Sequence, residues 1–234
     1  MTAERHIGRS ELHRGATRHS RLPDPHHVLL QKDIAPIGRE RHERRASNIG
    51  DWPVLELVEL TQSGKSYRAE SYAAEPTPPN AINEKTIVDA PAVGEAIRRA
   101  LKRAGTSSKE VAIAISGDAA ITKIIQMPRR LSARELEGQV EIQADQYIPF
   151  PMEEVSFDYE LMGPSTTDPE MLDVLLVATR TENVDQRKAA VEAAGLIAKV
   201  VDVEPFALEN ACHLLAHQMP DGGMQHLIAI VDFG

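Results

Sequence analysis

From Val54 onward the apolar residues switch repeatedly between a period of two and a period of about 3.6, with no self-similar segment of about 20–50 residues. That alternation restricts the chain to interleaved strands and helices, an α/β or α+β fold, and excludes a helical bundle or a repeat array. Strand-like runs fall at residues 54–60, 66–72, 111–116, 121–127, 155–161, 172–178, 199–203 and 227–233. Ser63 and Gly64 turn the first two into a hairpin, and residues 117–120 are expected to do the same for 111–116 and 121–127. The run 155–161 alternates strictly, as a half-exposed antiparallel strand does, while 172–178 is nearly continuous in apolar residues and belongs nearer a sheet centre.

The helices carry their own start and stop signals. Asp89 caps a helix with Pro91 in its first turn, and Gly105 ends it. Ser132 and Glu135 form a capping box with Leu131 and Leu136 as its staple. That helix stops at Ile148-Pro149-Phe150-Pro151, because neither proline continues the hydrogen-bond ladder, and Ile148 and Phe150 are expected to emerge at the bend. Thr181 is expected to cap a third helix ending at Gly195, and residues 205–219 form a fourth.

Composition narrows the functional classes. Hydrophobic residues make up 42% of the 234, aromatics only 4%, enough for a core of Ala, Val, Ile and Leu. The lone Cys212 cannot close an internal disulfide, and no apolar stretch approaches the roughly 20 residues of a membrane span, so the chain reads as cytoplasmic. Charge is uneven: residues 1–50 carry +4 and the remainder −13. The acidic body repels nucleic acid, which leaves only the first segment as a candidate nucleic-acid or metal-binding arm. That segment holds six of the nine histidines, lacks periodicity, and reads as a disordered or non-native leader over residues 1–53.

Several separated pieces carry a family resemblance: LVELTQSGKSYRAESYA (57–73), PPNAINEKTIVD (78–89), VGEAIRRALKRAGT (93–106), ITKIIQMP (121–128), QADQYIPFP (143–151) and VVDVEPFALENA (200–211). In this order they resemble PilM, the cytoplasmic actin-like family of bacterial type IV pilus assembly, related to the division protein FtsA. The resemblance implies a partial actin-like, ribonuclease H-like lobe. Its subdomain 1A would comprise about residues 54–87 and 199–234, with a small α+β subdomain 1C inserted over about 88–198. It further implies a scaffold held at the inner membrane through a partner: the cytoplasmic N-terminal tail of PilN lies in a groove between 1A and 1C. Tyr147, Ile148, Pro149, Phe150, Asp202 and Glu204 are the groove residues expected here, apolar anchors beside an acidic pair. No direct membrane span and no nucleic-acid partner are expected.

Full-length members of the family bind ATP and Mg²⁺ between two lobes, on two glycine-bearing phosphate turns. At the place of the first turn stands Ser47-Asn48-Ile49-Gly50-Asp51-Trp52-Pro53, with a proline where a strand should donate a hydrogen bond. Asp232 and Gly234 look like the opening of the second turn. The chain is therefore expected to be a fragment of the first lobe without cofactor, metal or catalysis. The rival readings are an actin-superfamily ATPase or kinase with an incomplete nucleotide site, and nucleic-acid binding by the basic arm. His213 and His217 share a helix face but lack the glutamate of a zinc protease, so they define no metal centre.

Overall fold

The strands and helices sort into two separate cores, each built on its own sheet. The computed structural model describes residues 28–32, 54–63, 66–83 and 86–215, together with Met219 and Ala229. In chain order the strands are β1 (Val28–Lys32), β2 (Val54–Ser63), β3 (Ser66–Pro76), β4 (Ile82–Asn83), β5 (Thr86–Ile87), β6 (Glu110–Ile115), β7 (Ala120–Pro128), β8 (Val155–Pro164), β9 (Met171–Arg180) and β10 (Ile197–Val203). The helices are α1 (Ala90–Ala104), α2 (Ala133–Tyr147), α3 (Thr181–Ala193) and α4 (Glu204–Leu215).

The larger sheet has the order β10-β6-β1-β2-β3. β2 and β3 form the hairpin that the turn at Ser63 requires, with a bulge at Glu59/Leu60, while β6 runs parallel to β10. β1 stands in the middle, antiparallel to β2 and parallel to β6. Residues 28–32 therefore belong to the fold, which corrects their assignment to a leader. A five-residue strand is too short to show periodicity against a polar background, and its pairing is decided by the two strands that flank it. The rest of residues 1–53 lies outside the described residues.

The smaller sheet has the order β7-β9-β8, antiparallel throughout. β9, the most continuously apolar strand, is central, as its composition demands. β6 and β7 do not form the expected hairpin: a single 3-10 turn, Gly117–Ala119, carries the chain from the larger sheet into the smaller one. β6 prefers parallel partners because its residues are buried on both faces, which a two-strand hairpin cannot provide.

The cores mark the true boundary between the subdomains. Leu57, Val93, Ile97, Val111, Ile115, Val191 and Val201 belong to one cluster, in which α1 and α3 cover the larger sheet. Ile125, Met127, Leu136, Val140, Ala144, Ile148, Val174 and Leu176 form the other, in which α2 covers the smaller sheet. The inserted unit thus spans about residues 120–180 and not 88–198, because the apolar faces of α1, β6 and α3 bury against the larger sheet. Each fully buried aliphatic side chain contributes roughly 1.5–3 kcal/mol, so each cluster can hold its own subdomain together.

Local signals explain the element ends. Asp89 accepts the N–H of Ala92, and Gly105 closes α1 in the left-handed region at φ 72°. The Ser132–Glu135 capping box is complete in both directions. Thr181, in contrast, caps nothing: α3 starts without a side-chain cap, and the Thr181 hydroxyl is taken by Ser156 at 3.0 Å. Glu75, 4% exposed at the end of β3, is held by Arg103 at 2.9 Å and Arg99 at 3.5 Å from α1.

Helices α1 and α3 meet at Gly94, where a Cβ would lie 2.7 Å from the Ala193 Cβ and 3.0 Å from the Ala190 carbonyl oxygen. Gly94→Ala is therefore expected to lower stability by about 1–3 kcal/mol through overpacking, despite the better helix propensity of alanine. Urea unfolding of the two proteins measures the difference, and an unchanged midpoint would mean the helices separate freely.

Candidate functional site at the subdomain junction

The chain crosses between subdomains twice, through the Gly117–Ala119 turn and at the β9–α3 joint. Short polar contacts tie these crossings to each other. The Thr179 hydroxyl donates to the Ala119 carbonyl at 2.7 Å and accepts from the Asn183 amide at 3.1 Å. On the next turn of α3, Arg187 donates from Nε to the Ala114 carbonyl and from Nη1 to the Asn183 carbonyl, both at 3.1 Å. Burial pulls the pKa of this guanidinium down, opposed by the neighbouring carboxylates of Glu204 and Asp118. Asp118 also accepts the Ser116 hydroxyl at 2.5 Å.

Strand alternation divides the junction into two sides. Successive residues of β9 point to opposite faces, so Arg180 and Thr179 look in opposite directions. Arg180 faces the α2 side, where its guanidinium lies 4.6 Å from the centroid of the Phe150 ring. Thr179 faces the other side, toward Ala119 and Asn183. On that side no helix among the described residues covers the smaller sheet. Ser156 and Thr179 pair at its junction end; Asp158, Val177 and Thr122 form the next row, and Glu160, Leu175 and Ile124 the one beyond. Ile124 is 56% exposed there.

The residues expected to share one groove come from two places in the chain, the end of α2 and the β10–α4 joint. Tyr147 is 42% exposed, with the Lys123 ammonium 5.3 Å from its ring centroid, and Pro149 is exposed beside it. Phe150 is half-buried against the smaller core. Ile148, expected to emerge at the bend, is 5% exposed and closes the core, since the last N–H bond of α2, from Ile148 to Ala144, turns it inward. Asp202 and Glu204 stand at the end of β10 and the start of α4; the Asp202 carboxylate accepts the Val203 N–H at 2.7 Å. Arg180 and Arg187, which hold the two groups, are seven residues apart, about 10 Å along the helix axis. Asp232, Gly234 and His217 lie outside the described residues.

Arg187 and Asp158 were not singled out from sequence, and Asp118 was read only as part of the Ser116-Gly117-Asp118 turn, with no histidine placed to activate the serine. Arg187 had a signal: it stands between Val184 and Val191 at helical spacing, a cation on the buried stripe of α3. Asp158 had none, being one of several acids in an alternating strand. Among the described residues no group of three or more metal-ligating side chains gathers, and no helix is long and apolar enough to cross a membrane.

A mixed α/β fold of two subdomains, the smaller inserted into the larger between two strands of one sheet, places the chain in a recognisable class. Residues 49–234 match the family described as Type IV pilus assembly protein PilM, and the chain belongs to that family. A solved structure described as the PilM-PilN type IV pilus biogenesis complex is similar at 32% identity and a TM-score of 0.63, over 72% of this chain and 49% of that one. This chain thus spans about half the length of that relative. The cytoplasmic domain of EpsL, an inner membrane component of the type II secretion system of Vibrio cholerae, matches at 14% identity and a TM-score of 0.42, over 76% of this chain and 57% of that one.

The α2-free face has one unusual acid. Burial raises the Asp158 carboxyl to about 7, and the charge of Glu160 adds to the shift; the Tyr159 N–H, donating at 2.8 Å, opposes both. Between the usual carboxylate value of about 4 and the folded value, the native protein holds a proton that the unfolded chain has released. Stability is accordingly expected to fall as pH rises through that window and to level off above it. Asp158→Asn should remove this slope and exceed the parent by about 1 kcal/mol or more at pH 8. Urea titrations at pH 5 and pH 8 check it; an identical slope in both proteins would place Asp158 in water.

Proposed function

We propose that this chain is a docking scaffold of type IV pilus assembly, a PilM-type actin-like 1A lobe with an inserted 1C subdomain, cytoplasmic and held at the inner membrane through a PilN-type tail. The observation that carries this reading is the α2-free face of the smaller sheet, which runs into the junction with the larger subdomain. Apolar Ile124, Leu175 and Val177 share that face with Asp158 and Glu160. Such a surface suits an extended segment with apolar anchors and a basic residue, bound by shape and charge with no bond made or broken. The similar solved complex, in which a PilM chain is found with PilN, supports the choice of partner. The bend at Tyr147, Pro149 and Phe150 lies on the far side of the β9–α3 joint and serves as a second, outer contact.

A synthetic PilN tail is expected to bind the purified chain. Ile124→Glu should weaken that binding at least about 10-fold without loss of folding, because it sets a charge on the apolar floor. Phe150→Ala should cost less than about 3-fold. Isothermal titration of the three proteins decides: equal affinities would remove the face from the site, and a larger loss at Phe150 would move the groove to the α2 side.

Catalysis and cofactor binding are outside the proposed role. Pro53 interrupts the place of a first phosphate turn, so micromolar ATP with Mg²⁺ is expected to give no binding heat and no phosphate release. Saturable binding in that range would favour the ATPase reading.

A further inference from the structure

We propose that the open edge of β8 is a docking edge for an extended segment of another protein in which apolar residues alternate with lysine or arginine, added as a further strand of the smaller sheet. It stands apart from the docking reading above, which concerns the face of that sheet.

Among the described residues both sheets end in open strands, β10 and β3 in the larger, β7 and β8 in the smaller. An open edge offers a row of backbone N–H and C=O groups to any extended chain, so proteins blunt such edges with lysine, proline or bulges. Three of these four are blunted. On β3 the Arg103 guanidinium caps the Ala74 carbonyl at 2.7 Å, and the register against β2 breaks at Glu59/Leu60. On β10 the register shifts between Ala198 and Val200, with Lys199 between them. β7 carries Lys123 and closes on Pro128. β8 keeps an unbroken register from Val155 to Leu161 and has no Lys, Arg or Pro in that stretch.

The side chains of this edge define the strand that fits it. Phe157, Tyr159 and Leu161 stand opposite the core residues Ala178, Leu176 and Val174 on the α2 side, and Leu161 and its neighbour Met162 are each 45% exposed at the rim. Asp158 and Glu160 alternate with them on the other face. Neither carboxylate has a cation beside it among the described residues: Asp158 accepts the Tyr159 N–H at 2.8 Å, and the charge it feels is the like charge of Glu160. An added strand keeps the pleat, so its apolar side chains continue the smaller core while its cations lie next to Asp158 and Glu160. A second copy does not fit. β8 laid antiparallel on itself about Asp158 or Tyr159 sets acid against acid, and β7 offers only the uncharged Thr122, Ile124 and Gln126 on that face. The main-chain ladder supplies affinity, and the alternating side chains supply specificity.

The test titrates the full chain by calorimetry with acetylated, amidated heptapeptides of alternating valine and lysine, or valine and glutamate. The lysine peptide should bind at least about 10-fold tighter than the glutamate peptide, since opposite-charge pairs replace like-charge pairs. N-methylation separates an added strand from a peptide lying across the face. In an added strand only alternate amides face β8, so methylating all the valine amides or all the lysine amides should cost about 10-fold or more in one case and less than about 3-fold in the other. Glu160→Lys, at an exposed position, should erase most of the difference between the lysine and glutamate peptides. Ile124→Glu, on β7 two strands and roughly 10 Å away, should change the affinity less than about 3-fold. The edge is rejected if the lysine peptide shows no saturable binding, if both peptides bind equally, or if the two methylated sets lose equally. A large loss in Ile124→Glu would place the peptide on the face and overturn it as well.

Discussion

A guanidinium on the apolar stripe of a helix has to find its partners inside the protein, and this requirement organises the region where the two subdomains join. Arg187 lies between Val184 and Val191 on the face of α3 that packs on the larger core. Leaving its donors unmet would cost several kcal/mol, so it donates to the Ala114 carbonyl of β6 and to the Asn183 carbonyl one turn earlier in its own helix. The same helix begins where β9 leaves the smaller core. One element therefore belongs to one core by packing and to the other by chain continuity.

The two cores are otherwise independent, and that independence makes a cleft possible. A single continuous core would leave no concave line between its parts. Here α2 covers one face of the smaller sheet, and none of the described helices covers the other. The acids on that side and the apolar residues between them follow from alternation along β7, β8 and β9. Asp158 belongs to this arrangement: its carboxyl is partly buried on that face, and the burial raises its pKa.

Much of this was legible beforehand where short-range physics decides. The capping box at Ser132, the glycine stop at Gly105, the proline bend after Tyr147 and the central place of β9 are all local consequences of side-chain chemistry. The candidate site was legible only in part. Glu204, expected at a strand end, is the first residue of α4, and its charge acts on Arg187, 17 residues earlier in the chain. Ile148 reads as an exposed anchor because a helix stops there; the last turn of α2 instead tucks it into the core. Thr181 has the chemistry of a helix cap, yet Ser156 from β8 claims its hydroxyl.

The amino-acid order alone determined most of the described strands and helices, where most of them stop, and the family to which the chain belongs, because periodicity, caps and motif spacing act within a few residues; the expected strand 227–233 lies outside the described residues. Tertiary structure decided the rest. β1 joins the larger sheet, β6 and β7 part company, and α1 and α3 go to the larger core. Each of these outcomes is a choice among partners distant in sequence. It is made by which apolar faces bury together and which buried polar groups can be satisfied, and neither is written in any local window.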